Sequence, residues 1–155
     1  MPQRSVVHAT FAIERTYGAT PARVFAAFAD ARAKAAWFRG PDEWERGAYE
    51  LDFRVGGRER LSGGPTGGTV HTFDCLYHDI VRNERIVYSY DMHLDERHIS
   101  VSLATVVIEP AGQGTRLVFT EQAAFLDGYD NAGSREHGTG ALLDKLGAAL
   151  DARAI

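Results

Sequence analysis

Short segments of alternating apolar and polar residues fill the middle of this chain and constrain its fold more than any other feature. In one of them Tyr49, Leu51, Phe53 and Val55 alternate with charged residues, which is typical of a strand with one buried face. Turn residues separate the segments, as between the strands of an antiparallel sheet. The six predicted strands are residues 49–55, 58–61, 71–77, 86–92, 99–109 and 115–122.

One further strand and two short helices are predicted before this region, and one long helix after it. Residues 11–17 alternate in the same way. Thr20 and Pro21 indicate a helix start, because threonine caps free amides and proline fits the first turn. Asp30 is expected to cap a second helix over residues 31–38. The longest helix is predicted over residues 131–152, and its apolar stripe consists of Leu142, Leu143, Leu146 and Leu150.

This order of elements predicts a single α+β domain over residues 1–155, a length that suits one domain. The compact arrangement is a strongly curved antiparallel sheet with the long C-terminal helix across its concave face. One helix cannot fill such a sheet completely. We therefore expect a pocket for an apolar ligand between the helix and the sheet.

Charge and cysteine content exclude several classes of function. The chain carries 17 basic and 21 acidic residues, a net charge of -4, which argues against nucleic acid or an anionic membrane as the main partner. The one cysteine, Cys75, excludes an internal disulfide. Neither a membrane-spanning run nor a signal peptide is evident, and we expect a cytoplasmic protein. The 15 arginines against 2 lysines, with abundant alanine, favour a bacterial source. No cofactor or metal is predicted.

Several short motifs occur in a characteristic order. They are Arg15-Thr16-Tyr17 through Thr20 to Phe25, Trp37-Phe38, Asp52 to Arg58, Asn83 to Tyr90, and Gly114 to Leu117 with Thr120-Glu121. In this order the chain resembles, from about residue 9 to 152, the heat-shock-protein ATPase activator homologue-like family of the START and birch-pollen-allergen (SRPBCC) superfamily. The resemblance implies a helix-grip fold.

One departure from that family's pattern concerns the last helix. The family often carries a Gly-Trp pair early in this helix, whereas here Gly138 is followed by Thr139. Replacing Trp by Thr in a packed groove frees volume on the order of 100 Å³. We therefore expect either an enlarged pocket or neighbours that fill the space, with Phe125 and Tyr129 as candidates.

Aromatic residues on the inward strand faces and at the end of the second helix are the first candidates for a ligand-binding surface. They bury large areas and provide stacking surfaces, although the same residues also suit an ordinary core. A buried tyrosine hydroxyl needs a hydrogen-bond partner, which a ligand's polar group could supply. The candidates are Trp37, Phe53, Phe73, Tyr88, Tyr90 and Phe119.

Polar residues on the same faces are candidates for orienting the ligand: His71, Glu121, His137 and Thr139. We expect a binding protein for a small hydrophobic or amphipathic molecule, such as a lipid, polyketide or aromatic metabolite, with no catalytic residues assigned. One alternative is a cyclase or dehydratase, because a histidine beside a glutamate in a dry cavity can exchange protons with a substrate. Another is a protein-interaction domain that regulates a chaperone ATPase, as the resemblance implies.

Three features of the sequence suggest weaker sites. One hairpin turn carries five residues that could hold a metal, although their spacing matches no known ligand pattern: Asp91, His93, Asp95, Glu96 and His98. Arg58 or Arg116 could pair with a ligand carboxylate at the rim. The outward residues Leu103 and Val107 could support a homodimer by covering the sheet.

Overall fold

The computed structural model describes residues 3–155 and confirms the predicted α+β architecture. Its elements are β1 (Val6–Tyr17), α1 (Pro21–Ala29), α2 (Ala31–Ala35), β2 (Glu45–Leu51), β3 (Arg58–Gly64), β4 (His71–Val81), β5 (Arg85–Leu94), β6 (Arg97–Ala111), β7 (Gly114–Leu126) and α3 (Ala132–Asp151). Among these residues no helix combines the length and the apolar character needed to span a membrane.

The seven strands form one antiparallel sheet in the order β1-β7-β6-β5-β4-β3-β2. The first strand pairs with the last one, so β1 forms one edge of the sheet. Register shifts interrupt the pairing between Tyr77 and Asp79 and between Met92 and His93. Such shifts bend a strand and increase its twist, which helps to curve the sheet around its inner face.

Capping side chains begin the three helices, the first two at the predicted caps Thr20 and Asp30. The Thr20 hydroxyl accepts a hydrogen bond from the Arg23 amide at 3.3 Å, and Asp30 accepts one from Ala33 at 2.9 Å. Asn131 caps α3 by accepting from the Ser134 amide at 2.9 Å. Each cap satisfies one of the free amides of a first turn.

Helix α2 ends at Ala35, three residues before the predicted end. The chain turns there, and the Trp37 indole nitrogen donates to the Ala27 carbonyl at 3.0 Å. This bond places Trp37 against α1, where its ring lies 5.0 Å from the Phe28 ring. A tertiary contact therefore determines where the helix ends.

The β2 and β3 boundaries also differ from the prediction of a strand over residues 49–55. Strand β2 ends at Leu51, and the following turn has Gly56 at φ +83. The Gly56 amide donates to the Tyr77 carbonyl at 2.8 Å, which fixes the turn against β4. Strand β3 continues through Gly64, three residues beyond its predicted end at residue 61. A side chain at Gly64 would collide with the Thr69 carbonyl, so glycine permits this close pairing.

Helix α3 packs its apolar stripe onto the concave face of the sheet. Leu143, Leu146 and Leu150 are buried, whereas Leu142 is half-buried. The Tyr17 hydroxyl donates to the Leu143 carbonyl at 2.7 Å and ties the helix to β1. At Gly147 an added Cβ would lie 3.1 Å from the Tyr17 ring. This glycine thus allows the helix to approach β1 closely.

Candidate functional site

The inner face of β4 and β5 brings most of the predicted aromatic residues together. Phe73 lies 4.8 Å from Tyr90 and 6.3 Å from Tyr88, measured between ring centroids. The Phe53 ring, half-buried, lies 5.0 Å from the Tyr77 ring at the β3 side of this surface. Trp37 and Phe119 are both buried in the same core.

Glu121 lies at the centre of a buried polar group. Its side chain is completely buried, and its Oε2 accepts hydrogen bonds from Ser102 at 2.7 Å and Tyr90 at 2.8 Å. A third hydrogen bond to Oε2 comes from Arg135 at 3.2 Å. We call the residues that share these bonds and the Arg135 contacts the Glu121 cluster: Tyr90, Ser100, Ser102, Glu121, Asp130 and Arg135.

Arg135 was not among the predicted site residues, yet it connects α3 to the sheet. Its guanidinium donates to the Tyr90 hydroxyl at 2.8 Å, to Ser100 at 2.7 Å and to Asp130 at 3.0 Å. Burial alone would lower the pKa of Arg135, but Tyr90, Glu121 and Asp130 raise it above its usual value. A signal was available, because Arg135 lies eight residues before Leu143 and so on the buried stripe of the helix.

The second oxygen of Glu121 has no partner. Among the side chains of residues 3–155, Glu121 Oε1 is the fully buried polar atom that lacks a hydrogen bond. Buried polar groups in proteins are nearly always satisfied, so an unpartnered carboxylate oxygen indicates a missing donor.

Tyr88 presents a second unengaged polar group on the same surface. Its side chain is 6% exposed, and its hydroxyl makes no hydrogen bond within the described part of the chain, unlike the hydroxyls of Tyr77 and Tyr90. Burial, followed by the neighbouring Tyr90, raises the pKa of Tyr88 well above its ordinary value, so the group remains a neutral hydroxyl.

Small residues line the strand that runs between these two groups. The inward residues Ser100, Ser102 and Ala104 of β6 are followed by the larger Val106 and Ile108. In this structure the side chains above the small residues close the predicted gap, since Ser100 and Ala104 are fully buried. The guanidinium of Arg135 contacts Ser100 and lies 5.3 Å from the Phe125 ring. Phe125, which was one of the two residues predicted to fill the volume left by Thr139, is therefore buried beneath the Arg135 side chain.

A second buried polar group, the Lys34 cluster, lies beside β3 and was not predicted. It consists of Lys34, Tyr49, Glu59 and Tyr77. The Lys34 ammonium contacts Glu59 Oε1 at 2.6 Å, and both side chains are almost completely buried. Tyr77 donates to the same oxygen at 2.5 Å and Tyr49 to the other at 2.9 Å. The Lys34 nitrogen also lies 4.5 Å from the Phe38 ring.

The structure does not assemble the acid–base group that the catalytic alternative required. His71 is half-buried and its ring lies 4.5 Å from the Trp44 ring. Burial lowers the pKa of His71. His137 lies on the exposed side of α3, and Thr139 is half-buried. Neither histidine contributes to the hydrogen bonds at Glu121, which come from Tyr90, Ser102 and Arg135.

The weaker candidate sites lie outside this core. His98 contacts Asp91 at 2.7 Å and stacks on His93, but within residues 3–155 no group of three such side chains could hold a metal. Arg116 pairs with Glu14 and Glu109 on the exposed surface. An open depression of about 650 Å³ on the outer face of the sheet includes Leu103 in its lining.

Comparisons with known proteins agree with this architecture. A family model described as Activator of Hsp90 ATPase homolog 1-like protein matches residues 18–151. No curated protein matches the chain.

Three bacterial structures are similar over nearly their whole length. An uncharacterised protein from Rhizobium leguminosarum is 48% identical, with 96% of this chain and 98% of that chain covered and a TM-score of 0.91. A protein from Rhizobium loti is 46% identical, with 93% and 98% covered and a TM-score of 0.87. One from Chromobacterium violaceum is 26% identical, with 90% and 94% covered and a TM-score of 0.76. The chain therefore belongs to the Activator of Hsp90 ATPase homolog 1-like family and has its helix-grip fold.

Proposed function

We propose that this protein binds a small, mostly apolar molecule between the inner face of the sheet and α3, with one polar group of the ligand at Glu121. The observation that carries the proposal is the buried Glu121 Oε1, which has no hydrogen-bond partner among the described residues. Leaving such an atom unsatisfied costs roughly 1–3 kcal/mol or more for a charged group. A ligand that satisfies it would recover this free energy on binding.

The surface around Glu121 suits the body of such a ligand. Phe73, Tyr88 and Tyr90 present aromatic faces, and aromatic rings give both area and stacking contacts. The backbones of Tyr88 and Glu121 lie two strand spacings apart, about 10 Å, on either side of the small residue Ala104.

The first turn of α3 offers the route to this surface. The side chains of Arg135 and Asp130 are 11% and 19% exposed, whereas that of Glu121 is fully buried. Nearby on the sheet and helix, Met92 and Leu142 are half-buried. In our proposal Arg135 swings outward with Asp130 and leaves the space over Ser100 to the ligand.

Two other functions make different demands on the molecule. A cyclase or dehydratase was expected to bring His71 or His137 to Glu121, and the hydrogen bonds at this carboxylate come from other residues. The regulation of a chaperone ATPase, suggested by the family's description, would use the outer surface and would not depend on the inner face around Ala104.

Native mass spectrometry of freshly purified protein tests the proposal. We expect a bound molecule that is lost after denaturing extraction. In the variant Ala104→Leu, which places a larger side chain on the inner face between Tyr88 and Glu121, the bound molecule should be absent. The matched control is Thr105→Leu, the next residue on the opposite face of β6, which should retain it.

Thermal unfolding of both variants checks that they fold. If Ala104→Leu does not fold, the native mass spectrum of the wild-type protein alone decides whether a ligand is bound. A wild-type protein that carries nothing and takes up no added apolar compound would contradict the proposed function.

A further inference from the structure

We propose that the free edge of β1 pairs with the same edge of a second copy of this chain, so that the two sheets join across a two-fold axis. The pairing involves residues Val6 to Ala12, which we call the β1 edge segment. This inference goes beyond the proposed function and does not depend on a ligand. It follows from backbone groups that the fold leaves unused at this edge and from the side chains around them.

The backbone of every second residue in the β1 edge segment points away from the sheet. Strand β1 pairs with β7 over its whole length without a register shift. The Asp127 amide donates to the Ser5 carbonyl at 2.8 Å, so the odd-numbered residues of β1 are those that bond to β7. In an antiparallel pair the alternate residues direct their amide and carbonyl groups to the other side. In this segment they are Val6, His8, Thr10 and Ala12.

No other element occupies these outward-facing groups. Within the described chain the four residues make no backbone hydrogen bond outside the β1–β7 pairing, and all four are exposed. Helix α3 forms its hydrogen bonds to β1 farther along the strand, at Arg15 and Tyr17. A row of unpaired amide and carbonyl groups is a template for another strand.

The side chains of the β1 edge segment lack the features that usually protect a sheet edge. Natural edge strands carry charged residues, proline or a bulge, which prevent pairing with another chain. Residues 5–13 contain neither a charged residue nor a proline. Val6 and Val7 are 54% and 59% exposed, although valine favours the interior of a sheet. This edge is therefore suited to pair with a further strand.

The opposite edge of the sheet, β2, has the protection that β1 lacks. It carries Glu45, Arg46 and Glu50, and a register shift interrupts its pairing with β3 between Arg46 and Tyr49. Pairing of β1 with β2 of another copy would continue into a filament, whereas pairing of β1 with β1 closes after two copies. The difference between the two edges favours a closed dimer.

The distribution of charge selects the register of the dimer. Ala9 is the middle residue of the uncharged residues 5–13. A two-fold axis at Ala9 places Val6 opposite Ala12 and His8 opposite Thr10 of the second copy, so all four outward-facing residues find partners. An axis farther along the strand would bring charged residues into the pairing, and one nearer the N-terminus would shorten the uncharged overlap.

Sedimentation velocity tests the proposal, with wild-type protein from about 1 μM to 1 mM. The wild type should change from monomer to dimer within this range. Thr10→Pro removes an amide hydrogen that β7 does not use, as a proline on an edge strand can. It should weaken the dimer about tenfold or more. The matched control is Thr16→Pro, the same change on the same edge outside the β1 edge segment, which should dimerise as the wild type does.

Amide hydrogen exchange of the wild type, followed by NMR, locates the interface without a variant. The four outward-facing amides should exchange several-fold more slowly at high protein concentration than at low concentration. The alternate amides of β1, which already bond to β7, should show no such dependence. Thermal unfolding checks that both proline variants fold, and if Thr10→Pro does not, the exchange measurement decides.

Three results would overturn the proposal. The first is a wild type that remains monomeric at about 1 mM. The second is a dimer whose outward-facing β1 amides stay unprotected or that Thr10→Pro leaves intact, because the copies would then meet through another surface. The third is a series of masses above that of the dimer, which would contradict closure by a two-fold axis.

Discussion

Tyr88 and Glu121 face the same part of the core from the two sides of Ala104, because Tyr88 pairs with Ala104 across β5 and β6, and Ala104 pairs with Glu121 across β6 and β7. Glu121 Oε1 is the fully buried side-chain atom without a hydrogen-bond partner among residues 3–155. An unsatisfied buried carboxylate oxygen is unusual for a core that serves stability alone.

The Tyr88 hydroxyl should contribute nothing to folding. We expect Tyr88→Phe to leave the free energy of unfolding within about 0.5 kcal/mol of the wild type, because no protein hydrogen bond is lost. The matched variant Tyr77→Phe removes the hydrogen bond to Glu59 and should cost about 1–3 kcal/mol. Urea unfolding measures both. An equal loss in the two variants would show that the Tyr88 hydroxyl has a partner in the folded protein.

The Lys34–Glu59 ion pair should be essential for stability. Lys34→Met leaves the Glu59 carboxylate buried without its counter-charge, and such a change costs about 3–5 kcal/mol. The control is Arg54→Met in the exposed Arg54–Asp52 pair, which should cost less than about 1 kcal/mol. Adding Glu59→Gln to Lys34→Met should recover part of the loss. A small effect of Lys34→Met alone would mean that water reaches this ion pair.

Local sequence signals were sufficient for the fold. The caps at Thr20, Asp30 and Asn131 depend on residues three positions away, and strand alternation depends on immediate neighbours. Because these contacts join residues that are close in sequence, the order of the elements could be predicted. The end of β2 could not, because its turn is fixed by the distant backbone of Tyr77.

The site could be predicted only in part. Alternation along each strand indicated that Glu121, Tyr88 and Tyr90 face inward, but it could not show which polar groups form hydrogen bonds with one another. Arg135 reaches Glu121 from another element, and Lys34 reaches Glu59 across 25 residues. Lys34 is one of 2 lysines in a chain with 15 arginines, but the sequence does not show that its side chain is buried. His137, predicted to face the cavity, lies on the exposed side of α3.

The Cys75 thiol should be unreactive in the folded protein. It is 1% exposed, and burial raises its pKa to about 12, so the reactive thiolate is scarce at pH 8. We expect a disulfide reagent such as DTNB to label the native protein slowly and the urea-unfolded protein rapidly, with one thiol per chain. Rapid labelling in the native state would contradict the closed core around β4.

Acidification should remove the contribution that the neutral His71 makes to folding stability. Burial lowers the pKa of His71, a shift that the nearby Asp95 partly opposes. The unfolded chain therefore takes up this proton first as the pH falls through about 6.5. The folded state takes it up at a lower pH. The contribution of His71 to stability is present above pH 6.5 and is lost as the pH falls through the folded pKa.

The fluorescence of Trp44 should report this protonation, since its ring lies 4.5 Å from the imidazole. The fluorescence change should have its midpoint below pH 6.5 and should disappear in His71→Gln. The exposed His137 provides the control, because His137→Gln should leave the titration unchanged. A midpoint above pH 6.5 would show that Asp95 outweighs burial at this site.

The most direct test of the ligand site is methyl NMR of the protein during titration with 1-tetralol. Ala104 and Leu103 are adjacent on β6 but lie on opposite faces of the sheet, the inner face and the outer depression. We predict chemical-shift changes and ligand contacts at the Ala104 methyl group, and none at Leu103. Changes confined to Leu103 and Val101, or no changes at all, would contradict a ligand site between the sheet and α3.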